Sequence, residues 1–187
     1  NFDVEGASSI FIDELLRQDY SLSAFTSYGL NQDIYKKSIF RTVRSINKKK
    51  NGQSEKSDSQ TLTAWSDWLN TQKNERQWFS YLNLNLPATL DIPANYQGPF
   101  QPELTSNSPF ATFTPENHDK LVNRYKNALR YTDEALQTLF VNLQEKGLEE
   151  NTIVMITSDH GMEFNETNSN SWGFGSNYST YQMQVPL

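Results

Sequence analysis

The sequence contains no cysteine, which excludes disulfide bonds, thiolate catalysis and cysteine-ligated zinc. It has only two histidines, His118 and His160, so few imidazole ligands are on offer to a metal ion. No apolar run approaches the roughly 20 residues needed to span a bilayer, and no signal-peptide pattern is visible. These absences leave redox compartment undetermined.

Basic residues are also scarce: 16 Lys and Arg stand against 22 Asp and Glu, for a net charge of -6 and a pI near 4.9. Phosphate backbones are held by clustered Lys and Arg, so nucleic acid is not an expected partner. The one basic run, residues 48–50, lies among Asn, Gly, Gln and Ser. This composition favours a solvated loop over a phosphate or lipid-headgroup patch, and we predict a flexible loop over residues 47–59.

What the chain does contain is enough apolar material for a core, with 36% hydrophobic and 13% aromatic residues over 187 positions. That length suits one ordinary domain or a large part of a bigger one. Because the chain begins with Asn1 and stops at an apolar, strand-like "QVPL", we expect residues 1–187 to be part of one domain.

The first half of the chain alternates predicted helices and strands. Apolar spacing predicts helices over residues 8–18 and 60–72, with a short helix carrying Ile34 to Phe40 between them. Alternating polarity predicts strands over residues 20–27 and 78–86. Proline and glycine then punctuate residues 87–115 without any sustained period, which predicts a long irregular insertion.

The strongest period lies in residues 116–146, where apolar residues recur every three to four positions. Thr114 and Pro115 are favourable at the start of this helix and Gly147 at its end. A fully apolar run, residues 152–158, follows after a short link and predicts a buried strand. Helix, short loop, apolar strand and polar loop are typical of a parallel α/β sheet, which places chemistry at the carboxyl ends of its strands.

Asp159 and His160 occupy such a position, with Gly161 behind them to let the backbone bend. Carboxylate and imidazole are common ligands of Zn²⁺ and related divalent ions. A capping aspartate followed by a surface histidine explains the same pair, and a catalytic zinc needs at least three protein ligands. His118, in the first turn of the long helix, is expected to face solvent.

Polar and aromatic residues continue beyond the pair. Glu163 and Glu166 are either further carboxylate ligands, a general base or solvated loop acids. The aromatic residues of the last loop, Trp172 and Phe174 among them, either line a substrate pocket, rest on a membrane surface or pack on their own domain. We take Glu163, Trp172 and Phe174 as candidate substrate-binding residues.

The run "NRYKNALRYTDEALQTLFVNLQEKGLEENTIVMITSDHG", residues 123–161, together with "QVPL" at residues 184–187, resembles the sulfatase and alkaline-phosphatase-like hydrolases. The earlier "IDELLRQDYSLSAFTSYGL" is similar to the helix and strand that follow their nucleophile. Within the superfamily, "EFNET...SWG.GSNYS.YQ.QVPL" is most similar to inner-membrane proteins of the YejM (PbgA) type, whose membrane helices precede a periplasmic sulfatase-like domain.

This resemblance implies an α/β fold, a mixed sheet sandwiched by helices, of which the chain is an incomplete portion. It implies that Asp159 and His160 bind a divalent metal (Zn, Mn, Mg or Ca) that activates a nucleophile and stabilises charge on a phosphoryl or sulfuryl group. The catalytic nucleophile and an acidic ligand would precede residue 1, so the chain alone is expected to be inactive. A further histidine is usual before "VPL", and Phe174 stands where we would look for it.

Two functions follow from the resemblance. One is a metal-dependent hydrolase or phosphotransferase acting on an anionic ester or lipid headgroup, at the periplasmic face of the bacterial inner membrane and tethered by segments outside this chain. The other is a sulfatase-like domain without turnover that binds lipid and regulates the envelope. A structural segment in which the Asp-His pair is incidental is the third interpretation.

Overall fold

The computed structural model describes residues 9–27, 40, 45–46, 54–72, 76–104 and 113–186. The chain divides into two compact units, Asn1–Asn85 and Leu86–Leu187. The predicted short helix from Ile34 falls outside the described residues, apart from Phe40 at its end.

The first unit opens with helix α1, Ile10–Arg17, as its spacing predicts. Ser9 caps the helix, since its side-chain oxygen accepts from the backbone N–H of Ile12 at 3.4 Å. Ile12 is the buried residue of α1 and packs with Ala24 and Phe40 in a small apolar cluster. The helix is thereby held to the strand that follows it.

A parallel sheet forms the centre of the first unit. Its strands are β1 (Ser21–Thr26), β2 (Ser45–Ile46) and β3 (Trp78–Asn83), in the order β2-β1-β3. Both neighbours run parallel to β1, with Ser21 opposite Trp78 at one end of the β1–β3 pair. Residues 23–26 are all buried, as expected of a central strand covered on both faces. The two strands predicted in this half of the chain are confirmed, and they pair in parallel.

Helix α2, Ser54–Thr71, corrects the predicted loop over residues 47–59. Residues 54–59 form its first turns, whereas residues 47–53 lie outside the described part. Leu62, Trp65 and Leu69 are buried at helical spacing, and Asp58 continues that buried face by accepting from the backbone N–H of Asn85 at 3.0 Å. The polar composition therefore belongs to a helix fixed by one buried carboxylate.

The second unit is built on helix α4, His118–Glu145, which a 3₁₀ turn over Pro115–Asn117 introduces. This confirms the predicted long helix. Gly147 adopts a φ of +63°, and its N–H and that of Leu148 donate to the carbonyls of Gln144 and Leu143 at 2.9 Å. A left-handed residue after the helix satisfies these carbonyls, so the glycine does end the helix.

The predicted irregular insertion, residues 87–115, overlaps a short helix, α3, Leu86–Thr89. Residues 91–104 contain no helix or strand. Arg124 of α4 donates to the carbonyls of Leu90 at 3.0 Å and Ile92 at 3.4 Å, and forms a nearly buried ion pair with Glu103 at 3.5 Å. These contacts satisfy backbone groups that irregular chain cannot pair with itself.

Asn127, wholly buried on the same face of α4, holds the next part of this segment. Its amide donates to the carbonyl of Phe100 at 2.9 Å and to Glu103 at 2.7 Å, and accepts from the N–H of Phe100 at 3.1 Å. A Cβ added at Gly98 would lie 2.1 Å from the Asn127 side-chain oxygen. The irregular segment is therefore bound to the helix mainly by polar contacts and by buried Leu90.

The predicted buried strand over residues 152–158 is wrong in the structure. These residues form no hydrogen-bonded strand, and residues 153–158 are exposed, with Ile153 at 92% and Met155 at 76%. A strand needs a neighbour to pair with its backbone, and no strand in the described part supplies one here. The strands that follow are a short antiparallel ribbon, β4 (Glu163–Phe164) and β5 (Trp172–Gly173).

A last short helix, α5, covers Thr180–Met183. Within the described residues, no helix is both long and apolar enough to cross a membrane. The architecture is thus a mixture of helices and parallel and antiparallel sheet, which agrees with the predicted α/β class.

Candidate metal centre

Asp159 and His160 lie together at the end of the exposed run 152–158. Asp159 is 85% exposed and His160 36%. The Asp159 Oδ1 atom accepts from the His160 backbone N–H at 3.1 Å and lies 3.8 Å from the His160 Nε2 atom. With metal–nitrogen and metal–oxygen distances of about 2.1 Å, one divalent ion could touch both atoms.

The imidazole of His160 is held in one tautomer. Its Nδ1 atom lies 2.9 Å from the carbonyl oxygen of Gly161, and since a carbonyl oxygen only accepts, Nδ1 must carry the hydrogen. In the neutral imidazole, Nε2 then carries the lone pair that can bind a metal. Histidine ligands usually donate their other N–H to a carbonyl or carboxylate in this way, so the donor chemistry fits a metal site.

Gly161 is required for close packing. Its N–H donates to the carbonyl of Gln182 at 2.8 Å, and a Cβ at this position would lie 2.1 Å from the carbonyl oxygen of Tyr181. Its φ is outside the left-handed region. The sequence suggested a bend, whereas the structure shows that any side chain would collide with the backbone of α5.

Phe174 covers one face of the His160 ring. The two rings stack with centroids 4.4 Å apart and an angle of 22° between their planes. Trp172 packs instead against the core: its ring stacks on Phe113 at 6.1 Å, and its Nε1 donates to Asn170 at 3.2 Å. Of the two aromatic residues proposed to contact substrate, Phe174 therefore lies beside the Asp-His pair.

Glu163 takes an internal position that differs from the expected substrate contact. Its side chain is wholly buried, and its carboxylate accepts from the Thr167 hydroxyl, from Ser179 Oγ at 2.7 Å and from Gln182 Nε2 at 2.9 Å. The Thr167 hydroxyl above all, with the other donors, lowers the pKa of Glu163 to about 2 against the opposing effect of burial. The Glu163 carboxylate is thus enclosed by three donors, and a substrate contact at this residue stays a prediction.

The remaining candidates do not join the pair. Glu166 accepts from the backbone N–H of Phe164 at 2.5 Å. His118 contacts Asp119 at 2.9 Å and its ring meets Trp172 edge-on. Among the residues that the structure describes, no three His, Asp or Glu side chains cluster as a metal site. The described residues therefore offer two candidate ligands, whereas a catalytic zinc has at least three protein ligands.

Sequence reasoning missed Gln182 and the small polar residues around it. Gln182 is 3% exposed and its Nε2 also reaches Ser176 Oγ at 2.9 Å. Ser171 Oγ accepts from Asn177 Nδ2 at 2.8 Å. Serines and amides in a loop usually indicate solvent exposure, and only the recurrence of such residues around one acid hinted at an internal network.

The sequence profile of the sulfatase family matches residues 9–187. The chain belongs to the sulfatase family. An uncharacterized protein of Haemophilus influenzae is 26% identical over 180 residues, which are 96% of this chain and 24% of that protein. The inner membrane protein YejM of Salmonella typhimurium is 25% identical over 178 residues, 94% of this chain and 24% of that protein. The chain thus spans about a quarter of the length of these sulfatase-family relatives.

A solved structure supports the same fold. The phosphonate monoester hydrolase of Agrobacterium radiobacter superposes with a TM-score of 0.66 over 91% of this chain and 50% of that one, at 13% identity. At such low identity the likeness establishes the fold only. The predicted alkaline-phosphatase and sulfatase-like architecture, present as a partial domain, is confirmed.

Proposed function

We propose that the chain supplies two ligands, Asp159 and His160, to one divalent cation in a metal-dependent hydrolase or phosphotransferase that acts on phosphate or sulfate esters. The observation that carries the proposal is the hydrogen bond from His160 Nδ1 to Gly161, which leaves Nε2 free at 3.8 Å from Asp159 Oδ1. Membership of the sulfatase family supports the ester class of substrate.

The donor set favours some ions over others. An imidazole nitrogen suits zinc, whereas a carboxylate also suits manganese, magnesium and calcium, so we expect zinc or manganese. Bound there, the ion would polarise a phosphoryl or sulfuryl oxygen and stabilise the charge that develops on it. Asp159 and His160 would hold it, and the Gly161 carbonyl would keep the imidazole in its ligating tautomer.

The location and substrate are part of the proposal. The proposed location is the periplasmic face of a bacterial inner membrane, with segments outside this chain in the membrane. Similarity to YejM, which is named an inner membrane protein, supports the membrane part of this proposal. An anionic ester, including a lipid headgroup, is the proposed substrate. The net charge of -6 argues against nucleic acid as a partner.

Two observations favour a second candidate function. Phe174 lies flat on His160, and no third ligand joins the pair in the described part of the chain. A sulfatase-like domain without turnover that binds lipid and regulates the envelope would not need a complete metal site, and an exposed aromatic ring beside the pair is suited to apolar contact.

Activity and lipid binding separate the two candidates. The complete domain, including the segments outside this chain, and its Asp159→Asn variant would be assayed on aryl phosphate and aryl sulfate esters, with His118→Gln as the matched control. Hydrolysis lost only in Asp159→Asn supports the enzyme. The lipid-binding domain predicts no hydrolysis. It also predicts that the protein floats with phosphatidylglycerol vesicles but not with phosphatidylcholine vesicles, and that this binding is lost when Phe174 is replaced. These results together would contradict the enzyme.

A further inference from the structure

Glu163 is a buried charge without a cationic partner among the described contacts. A carboxylate out of water is costly unless hydrogen bonds replace its hydration, and here Thr167, Ser179 and Gln182 replace it. Hydrogen bonds to an ionised group are about twice as strong as neutral ones. The carboxylate therefore orders the three groups that donate to it, all of which follow it in the chain.

Gln182 connects this carboxylate to the metal-binding segment. Its side-chain Nε2 donates to Glu163 at 2.9 Å, while its backbone carbonyl accepts from the N–H of Gly161 at 2.8 Å. Ser179, the residue before α5, donates to the same carboxylate. Both contacts fix the position of α5. They therefore also fix the Gln182 carbonyl, which accepts the hydrogen bond from Gly161.

Gly161 is in turn held by hydrogen bonds at both its N–H and its carbonyl. Its N–H is held by Gln182, and its carbonyl accepts from His160 Nδ1 at 2.9 Å. The Tyr181 carbonyl leaves no space for even a methyl group at Gly161. A shift of α5 would therefore move the carbonyl that selects the His160 tautomer.

We propose that Glu163 is a positioning residue for the metal ligand His160, acting through Gln182 and Gly161 to keep hydrogen on Nδ1 and the lone pair on Nε2. This role rests on the proposed function in so far as Nε2 binds the metal. Outer partners of a ligating histidine commonly change metal affinity by 10- to 100-fold when removed. Glu163 would act in the same way, but through Gln182 and Gly161 rather than by direct contact with His160.

The isosteric change Glu163→Gln discriminates charge from shape. A carboxylate only accepts, whereas an amide presents two N–H donors, and these would face the Gln182 amide or a hydroxyl that already donates. The network loses its negative charge and one of its two central acceptor oxygens without a change in volume. A matched control is Glu150→Gln, because Glu150 is an exposed glutamate of the short 3₁₀ turn Glu149–Asn151.

The ring nitrogens of His160 provide a readout that a purely structural role would not change. With only two histidines, ¹⁵N spectra of the metal-free protein at about pH 8.5, where imidazoles are ordinarily neutral, can be assigned with a His118→Gln variant. We expect hydrogen on Nδ1 of His160 in the unchanged protein and in Glu150→Gln. In Glu163→Gln we expect a mixture of tautomers, with His118 unaffected.

Zinc titration of the complete domain, including the segments outside this chain, by calorimetry gives the second readout. Glu163→Gln should bind Zn²⁺ about 10-fold more weakly or worse, and combining it with Gln182→Glu, which restores one carboxylate to the network, should recover part of the affinity. An unchanged His160 tautomer in a folded Glu163→Gln protein overturns the inference, even if the melting temperature falls. If the unchanged protein binds no zinc but the tautomer shifts, the proposed function fails while the positioning role stands.

Discussion

Replacing Gly161 by alanine tests the packing that holds the Asp-His pair. The added Cβ would lie 2.1 Å from the Tyr181 carbonyl oxygen, well inside the roughly 3.5 Å of an ordinary contact. Since the obstructing atom belongs to the backbone, the 157–161 segment and α5 must separate by about 1 Å or more. The hydrogen bond from Gly161 to Gln182, 2.8 Å long, would then exceed hydrogen-bond range.

The magnitude follows from these two effects. Overpacking of this kind costs about 1–3 kcal/mol, and the lost backbone hydrogen bond costs about 1 kcal/mol. We expect the free energy of unfolding to fall by about 2–4 kcal/mol, which for a chain of this size lowers the melting temperature by roughly 5–15 °C. His160 should also lose its fixed carbonyl partner.

Thermal melting followed by circular dichroism, together with zinc titration, measures both consequences. Gly147→Ala is the control: its Cβ meets nothing within 4 Å, but its φ of +63° is unfavourable for alanine. That variant should lose about 1–2 kcal/mol with unchanged zinc affinity. Gly161→Ala with the melting temperature and zinc affinity of the unchanged protein would refute the packing account.

Three further predictions concern buried polar groups. Asn127→Ala removes three hydrogen bonds and should lower the free energy of unfolding, measured by urea titration, by about 2–4 kcal/mol. The control Asn142→Ala loses a local hydrogen bond to Thr138 and should lower it by less than about 0.5 kcal/mol. Equal costs for the two variants would contradict the role of Asn127. Gly98→Ala should be far less harmful in the Asn127→Ala background, because the group it strikes is gone; simple additivity would contradict this. The pKa of Glu163 falls from 4.5 to about 2 on folding, so its contribution to stability is present above pH 4.5 and is lost as the pH falls toward 2. Over this pH range the free energy of unfolding should therefore fall less steeply in Glu163→Gln than in the unchanged protein. The same pH dependence in both proteins would contradict this prediction.

Local signals predicted much of the fold. The long helix α4 carries its own period, a proline at its start and Gly147 at its end, so its neighbours were not needed to find it. β1 and β3 are short runs of alternating polarity that pair with each other within the described chain. Residues 152–158 are a more continuous apolar run, but strand formation depends on a neighbour, and no described strand lies beside them.

Asp159 and His160 stand out in the sequence as candidate ligands by type and position, whereas the close approach of α5 to Gly161 is a tertiary contact that no local pattern encodes. For Glu163 the sequence left a ligand, a general base, a solvated loop acid and a substrate contact open, and no local pattern indicated its burial. On α4, Arg124 and Asn127 share a face with buried Leu121 and Ala128, and polar residues on an apolar stripe were the available sign of a buried network.

Metal content tests the central claim most directly. The complete domain, including the segments outside this chain, would be purified without chelator or added metal and its zinc and manganese measured by elemental analysis, beside an Asp159→Ala, His160→Ala double variant and a His118→Ala control. The account predicts about one bound ion per chain in the unchanged protein and the control, and loss of that ion in the double variant. Equal metal content in all three proteins, or a site that stays empty when metal is added, would contradict it.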